Sequence, residues 1–426
     1  MAGGAAPVGE GEFAALMAPL GPFGPAPRLA AGVSGGPHSL ALALLAEDWA
    51  RARGGSLLAL VVDHGLRPES AAEATGVAAM LAGRGIVAGV LPLGLPPGPG
   101  LQERARAGRH AALLRACREA GRPWLLLGHH RADQAETLLF RALRGSGAGG
   151  LAAMAPARPT PEALVLRPLL GIPPTRLEAV VAAAGLVPVR DPSNADPRFA
   201  RIALRAAQAD PGGEGAATEA LAGAAAAFAA RRARAESALA ARLALAARLL
   251  PTGHAEIDPV ALGEDAVAEA ALAALLRVVA GAAFAPPAAA VAALRRRGEG
   301  TLAGAWLLPR GRRWWLLREP AAVAPPVPAV AGARWDNRFR LLRAGAPDHE
   351  LGALGPAEAA RLRRLAPGLP AALLTTLPVL RQHGVLAAVP HLGYPDRQCC
   401  AAFPLVHAPP AAVTAEAGRM AEPPGH

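Results

Sequence analysis

The chain has 426 residues, 52% of them hydrophobic, which is enough to fill the cores of two or three domains and excludes a disordered polymer. Its formal charge of +11 rests on arginine alone, since no lysine occurs, and the excess favours a polyanionic partner, nucleic acid first. Three cysteines, Cys117, Cys399 and Cys400, exclude a disulfide framework or a four-thiolate zinc site, and no unbroken apolar run of about 18 residues occurs, so the expectation is a cytoplasmic protein with no membrane partner.

In chain order, residues 1–27 read as an N-terminal extension, followed by the apolar run Leu29 to Val33, a strand. Ser34-Gly35-Gly36-Pro37-His38-Ser39 then forms a tight turn into a helix over Leu40 to Leu45. Leu57 to Val62 and Trp124 to Leu127 read as further strands, Ala71 to Arg84 and Gln102 to Ala120 as helices. Such alternation specifies an α/β domain with a parallel sheet over residues 28–208, whose functional loops lie at the carboxyl ends of the strands. The break Asp210-Pro211-Gly212-Gly213 opens a region, 209–320, whose Ala, Leu and Arg periodicity is helical throughout. A Pro-rich linker, Ala321 to Pro328, leads to a small α+β module over 329–408, and 409–426 reads as a loose tail.

Four segments carry chemistry. The turn at Ser34 to Ser39 is a phosphate cradle, because residues without Cβ let backbone N–H groups approach an anion at a helix start, and Ser34, Asp63-His64-Gly65 and Gly128-His129-His130 each follow a strand onto one rim. The turn is neither a Walker loop nor a dinucleotide fingerprint. Asp133 and Glu136 stand three apart on a first helical turn and could receive an ammonium group or magnesium, the bland alternative being compensation of the helix dipole. Arg106 and Arg109 share a helix face suited to a carboxylate or phosphate, and Asp191-Pro192-Ser193-Asn194 precedes Arg198, Arg201 and Arg205, a ladder suited to RNA phosphates.

Taken together, in this order and spacing, these segments resemble the tRNA(Ile)-lysidine synthetase family of pyrophosphate-loop ATPases. Supporting residues are Val62-Asp63-His64-Gly65-Leu66, the His129 to Thr137 segment, Arg144-Gly145-Ser146-Gly147 and Arg167-Pro168-Leu169. The resemblance implies ATP and Mg2+ as cofactors, with free L-lysine and the CAU-anticodon isoleucine tRNA as partners. It implies ATP contacts from Ser34, Gly35, Gly36, Pro37, His38, Ser39, Asp63, His64, Gly128 and His129, and catalysis by Asp133, Glu136 and His38. Lysine and tRNA would meet Arg106, Arg109, Asp133, Glu136, Arg144, Asn194, Arg201 and Arg205, with Asp133 also on the metal. Basic residues of 209–320, such as Arg231, Arg232 and Arg295 to Arg297, would grip tRNA, and a homodimer is an open partner. His38 replaces the loop Asp, Ala132 replaces the first residue of the acidic pair, and Ala203 interrupts the arginine ladder. A tRNA-thiolating relative and a non-catalytic RNA-binding paralogue stay open as alternatives.

Overall fold

The computed structural model describes residues 5–65, 69–94, 98, 101–189, 210, 212–343, 345, 348–410 and 412–414. The chain divides into two compact units, Met1–Ala233 and Arg234–His426.

In the first unit, α1 (Glu10–Met17) precedes β1 (Arg28–Val33), α2 (Pro37–Arg51), β2 (Ser56–Asp63), α3 (Ser70–Ala82) and β3 (Val87–Pro92). α4 (Leu101–Glu119), β4 (Trp124–Leu127), α5 (Arg131–Leu143), α6 (Ala148–Leu151), β5 (Ala157–Pro159), β6 (Leu164–Leu166) and α7 (Pro174–Ala183) follow. The six-stranded sheet runs β3-β2-β1-β4-β6-β5, parallel except for the antiparallel β5 edge. Period-2 alternation explains how it is covered. Leu29, Ala31 and Val33 point into a core shared with α1, α2, α3 and α7, while Ala30 points to the opposite face against Leu113, Leu114 and Cys117 of α4. The chain winds from β1 outward to β3, then returns to place β4 on the other side of β1. That reversal opens a crevice at the carboxyl ends of β1 and β4, where doubly wound sheets bind ligands.

The helix α8 (Ala216–Ala246) is 31 residues long. Its Leu221, Ala225 and Phe228 join Leu138 and Ala153 in the first unit, so that unit extends beyond the expected edge at 208/209. The Gly-rich break is a turn within the unit: the Asp210 carboxylate accepts from the Glu214 and Gly215 N–H groups at 3.2 and 2.9 Å.

The second unit is not helical throughout as far as Gly298. β7 (Ala247–Leu249), β8 (Ala255–Ile257), β9 (Gly300–Leu302), β10 (Ala305–Arg310) and β11 (Arg313–Arg318) form a five-stranded sheet, order β7-β8-β11-β10-β9. It packs on α9 (Ala266–Ala280) and α10 (Ala288–Arg297) through Leu272, Leu276, Leu307 and Leu316. The expected linker ends in β12 (Val327–Pro328), the edge of a sheet with β15 (His349–Ala353), β16 (Pro378–Gln382) and β17 (Val385–Ala388). β13 (Arg334–Trp335), β14 (Phe339–Leu341) and β18 (Leu405–His407) form a smaller sheet. The β13–β14 turn puts Asp336 and Asn337 at φ 52 and 53°, a left-handed pair that Asp and Asn tolerate. Asp336 there accepts from Arg318 Nε and Arg338 Nε at 3.0 and 2.7 Å, all three side chains buried. Among the described residues no helix is long and apolar enough to cross a membrane.

Candidate functional site

The crevice at the β1/β4 reversal holds a cavity of about 410 Å³, walled by the phosphate-cradle turn, the end of β4 and the start of α5. Gly35 adopts φ +81°, and its carbonyl accepts from the Val189 N–H at 2.9 Å. A Cβ at Gly35 would lie 2.6 Å from Val77 Cγ2, so conformation and space both require glycine. The Ser34 N–H donates to Ser39 Oγ at 3.1 Å, and Ser39 Oγ donates to the Gly36 carbonyl at 2.9 Å, which locks the turn. Gly36 is the N-cap of α2 and Pro37 opens the helix, where a missing N–H costs nothing. The N-terminus of α2 lies at the cavity wall and favours an anion there. At Gly128, a Cβ would lie 3.0 Å from the His38 carbonyl oxygen, so any larger residue would make the end of β4 or the head of α2 give by a few tenths of an ångström.

Asp133 lines the cavity and caps its own helix, its Oδ2 accepting from the His130 N–H at 3.0 Å. His130 Nε2 is 3.4 Å from the same oxygen, and the His130 ring meets His38 edge to face with centroids 4.2 Å apart. His38 Nε2 stands 3.7 Å from Glu178 Oε1 on α7. Burial, reinforced by His130, pushes His38 down to about 4. Burial also holds His129 at about 4, against the pull of Asp133 and helped by Arg167 and Arg109. Both imidazoles are therefore neutral at pH 7. Burial, then Arg106, lowers the Arg109 pKa, and Arg109 has no hydrogen-bond or ion-pair partner among the described residues.

The structure gathers Ser34, Gly36, Pro37, His38, Ser39, His64, Arg109, Gly128, His129 and Asp133 around one cavity. It does not place Glu136 on that wall: the side chain is only 4% exposed, on the buried side of α5. A helix turns by about 100° per residue, so a spacing of three leaves room for one carboxylate in the cleft and the other in the core. Asp63 stands beside the wall, accepting from the Gly65 N–H at 2.9 Å and Ser70 Oγ at 2.6 Å. Arg106 faces a neighbouring cavity, and Arg144 lies at the far end of α5, its guanidinium 4.3 Å over Phe140. Asn194, Arg201 and Arg205, with the rest of 190–209, lie outside the described residues. Sequence reasoning put His130 on the rim but gave it no role, and left Glu178 out of the site. His130 was signalled by its neighbour His129, whereas Glu178 arrives only through the packing of α7 on α2.

A six-stranded, mostly parallel sheet with a glycine turn at its reversal defines a pyrophosphate-loop nucleotide domain, and the family model described as PP-loop domain matches residues 10–209. A tRNA(Ile)-lysidine synthase of Methylobacterium sp. (strain 4-46) is 42% identical over 70% of this chain and 84% of its own length. One of Bradyrhizobium sp. (strain BTAi1) is 44% identical over 49% of this chain. The chain belongs to the tRNA(Ile)-lysidine synthase family. It spans 53 to 59% of the length of several of the curated relatives it matches, the Bradyrhizobium protein among them. A solved structure titled U34-tRNA thiolase NcsA from Methanococcus maripaludis with its [4Fe-4S] cluster aligns at TM-score 0.42 and 16% identity, over 53% of this chain and 79% of that one.

Proposed function

We propose that the protein ligates free L-lysine to C2 of the wobble cytidine in the CAU-anticodon isoleucine tRNA, in the cytoplasm, consuming ATP. The observation that carries this reading is one cavity that joins a phosphate-cradling turn to an acidic side chain and an unpaired arginine. In the first step the C2 oxygen attacks the α-phosphorus of ATP and pyrophosphate leaves. In the second the lysine ε-amine attacks C2, the C2–oxygen bond to AMP breaks, and the amine gives up a proton. Backbone donors of the turn and the α2 N-terminus stabilise the charge that grows on the departing pyrophosphate. Asp133 orients the ammonium and accepts its proton, and Arg109 holds the lysine carboxylate.

Magnesium fits this site narrowly. No group of three or more His, Cys, Asp or Glu side chains suited to a metal occurs among the described residues, and Asp133 is the one carboxylate on the cavity wall. Magnesium accepts one carboxylate when phosphate oxygens and water complete its shell, so Asp133 would hold it together with ATP, and neutral His38 would not. The metal would neutralise phosphate charge.

Basic residues of each unit, Arg231 and Arg232 in the first and Arg295 to Arg297 in the second, would bind tRNA phosphates. A single-turnover assay with ATP, magnesium, lysine and CAU-anticodon tRNA tests the proposal. Pyrophosphate release together with lysine incorporation supports it. Neither product at any magnesium concentration leaves a non-catalytic RNA-binding protein.

A further inference from the structure

Of the four residues that open α5, only Asp133 lines the nucleotide cavity; the other three are held by segments that come later in the chain. Arg131 donates through Nε and Nη2 to the Gly213 carbonyl, at 3.0 and 2.8 Å. Gly213 adopts φ +62°, and a Cβ there would lie 2.7 Å from Pro174 Cδ and 3.2 Å from Ala132 Cβ. The turn before α8 therefore rests directly on Ala132. Gln134 is buried and spends both ends of its amide on one residue. Its Nε2 donates to the Met154 carbonyl at 2.9 Å, and its Oε1 accepts from the Met154 N–H at 2.8 Å.

Met154 is fixed in turn. On one side, the Ala153 carbonyl accepts from Arg141 Nη1 at 2.7 Å, and on the other the Ala155 carbonyl accepts from Arg167 Nη1 at 2.9 Å. Ala153 itself sits at φ +47°, a left-handed conformation unfavourable for alanine, which persists only where the surrounding contacts over-determine it. The reaction above gives Arg131 and Gln134 no task. Yet successive side chains turn by about 100° around a helix, so whatever fixes residues 131 and 134 also fixes the direction of residue 133.

We propose that Arg131 and Gln134 are positioning residues for Asp133. By tying the first turn of α5 to Gly213 and to Met154, they set the angle at which the Asp133 carboxylate meets the lysine ammonium. The inference rests on the lysine-ligation reading and on the role given there to Asp133. The demand is geometric, since misplacing a reacting group by about 1 Å can cost about a hundredfold in rate.

The test is a double-mutant cycle, read as the single-turnover rate of lysine transfer to CAU-anticodon tRNA. Arg131→Met and Gln134→Met keep most of the side-chain volume and remove the hydrogen bonds, and each should slow transfer by about tenfold or more. In an Asp133→Asn background the same substitutions should slow it by less than about threefold, because residues that act through Asp133 have nothing left to position. A purely structural role would slow both backgrounds alike. Arg131 is half-buried, so its variants keep the test open if Gln134→Met fails to fold, and Arg131→Lys, which retains a donor for Gly213, should recover most of the rate. An inactive wild type sinks the ligation reading and this inference together. An active wild type whose Arg131→Met variant transfers lysine within about threefold of it, or slows by the same factor in both backgrounds, overturns this inference alone.

Discussion

Arginines withdrawn from solvent, fully in one unit and half-buried in the other, occur under opposite conditions. In the second unit Arg318 and Arg338 share Asp336, and burial draws Arg338 down to about 10 while the carboxylate pulls the other way. In the first unit Arg167 is also held near 10 by burial, but its charged neighbours are arginines, which push it further in the same direction. The same guanidinium chemistry is thus closed in one place and open in the other. A closed cluster fixes a fold, as the β13–β14 turn shows, whereas Arg167 is held by the Ala155 carbonyl and leaves its Nε without a partner.

The comparison breaks most visibly at Asp336. Asp336→Asn leaves two buried guanidiniums without a counter-charge and should cost about 3–5 kcal/mol in denaturant unfolding. A loss under 1 kcal/mol would mean that the pairing is incidental. Asp133→Asn sharpens the other side, because the amide keeps the cap on the His130 N–H but cannot take a proton. We expect unfolding to stay close to wild type while lysine incorporation falls by about a hundredfold or more, read in single turnover.

A pH series probes a feature common to both units. His38, His129, His254 and His407 are each held at about 4, burial being the first cause. Because the unfolded chain takes up these protons near pH 6.5, it binds more protons than the fold between about 4 and 6.5, and stability rises with pH across that window. Unfolding free energy should therefore drop on going from pH 7 to pH 4.5, and the drop should shrink in His254→Asn, which removes one such group from its stack on Trp315. An unchanged drop would show that His254 is protonated in the fold. The smallest effect is expected at Arg167→Gln: relief of repulsion offsets the lost bond to Ala155, so melting should move by less than about 1 kcal/mol. A loss as large as that of Asp336→Asn would make this arginine structural and erase the contrast.

The local signals were plain in the sequence. β1, β2, β4 and the turn at Ser34 could be read because apolar runs, glycines and caps act over a few residues, and the observed α3 and α4 differ from their expected bounds by one or two positions. What escaped is non-local or very short. β7 and β8 are three residues each, set beside Ala-rich helical periodicity, and they become strands by pairing with each other and, for β8, with β11. The core position of Glu136, the approach of Glu178 to His38 and the meeting of Arg158 with His110 depend on which helices and strands pack together, information that no window of sequence contains.

The missing methyl group at Gly128 has a mechanical consequence. Since β4 and the head of α2 approach closely there, and α5 begins only three residues later, a short stretch of backbone links the phosphate-cradle turn to the helix that presents Asp133. The position of that turn is thus set by backbone contact at Gly128 and not by the identity of the side chain at His38.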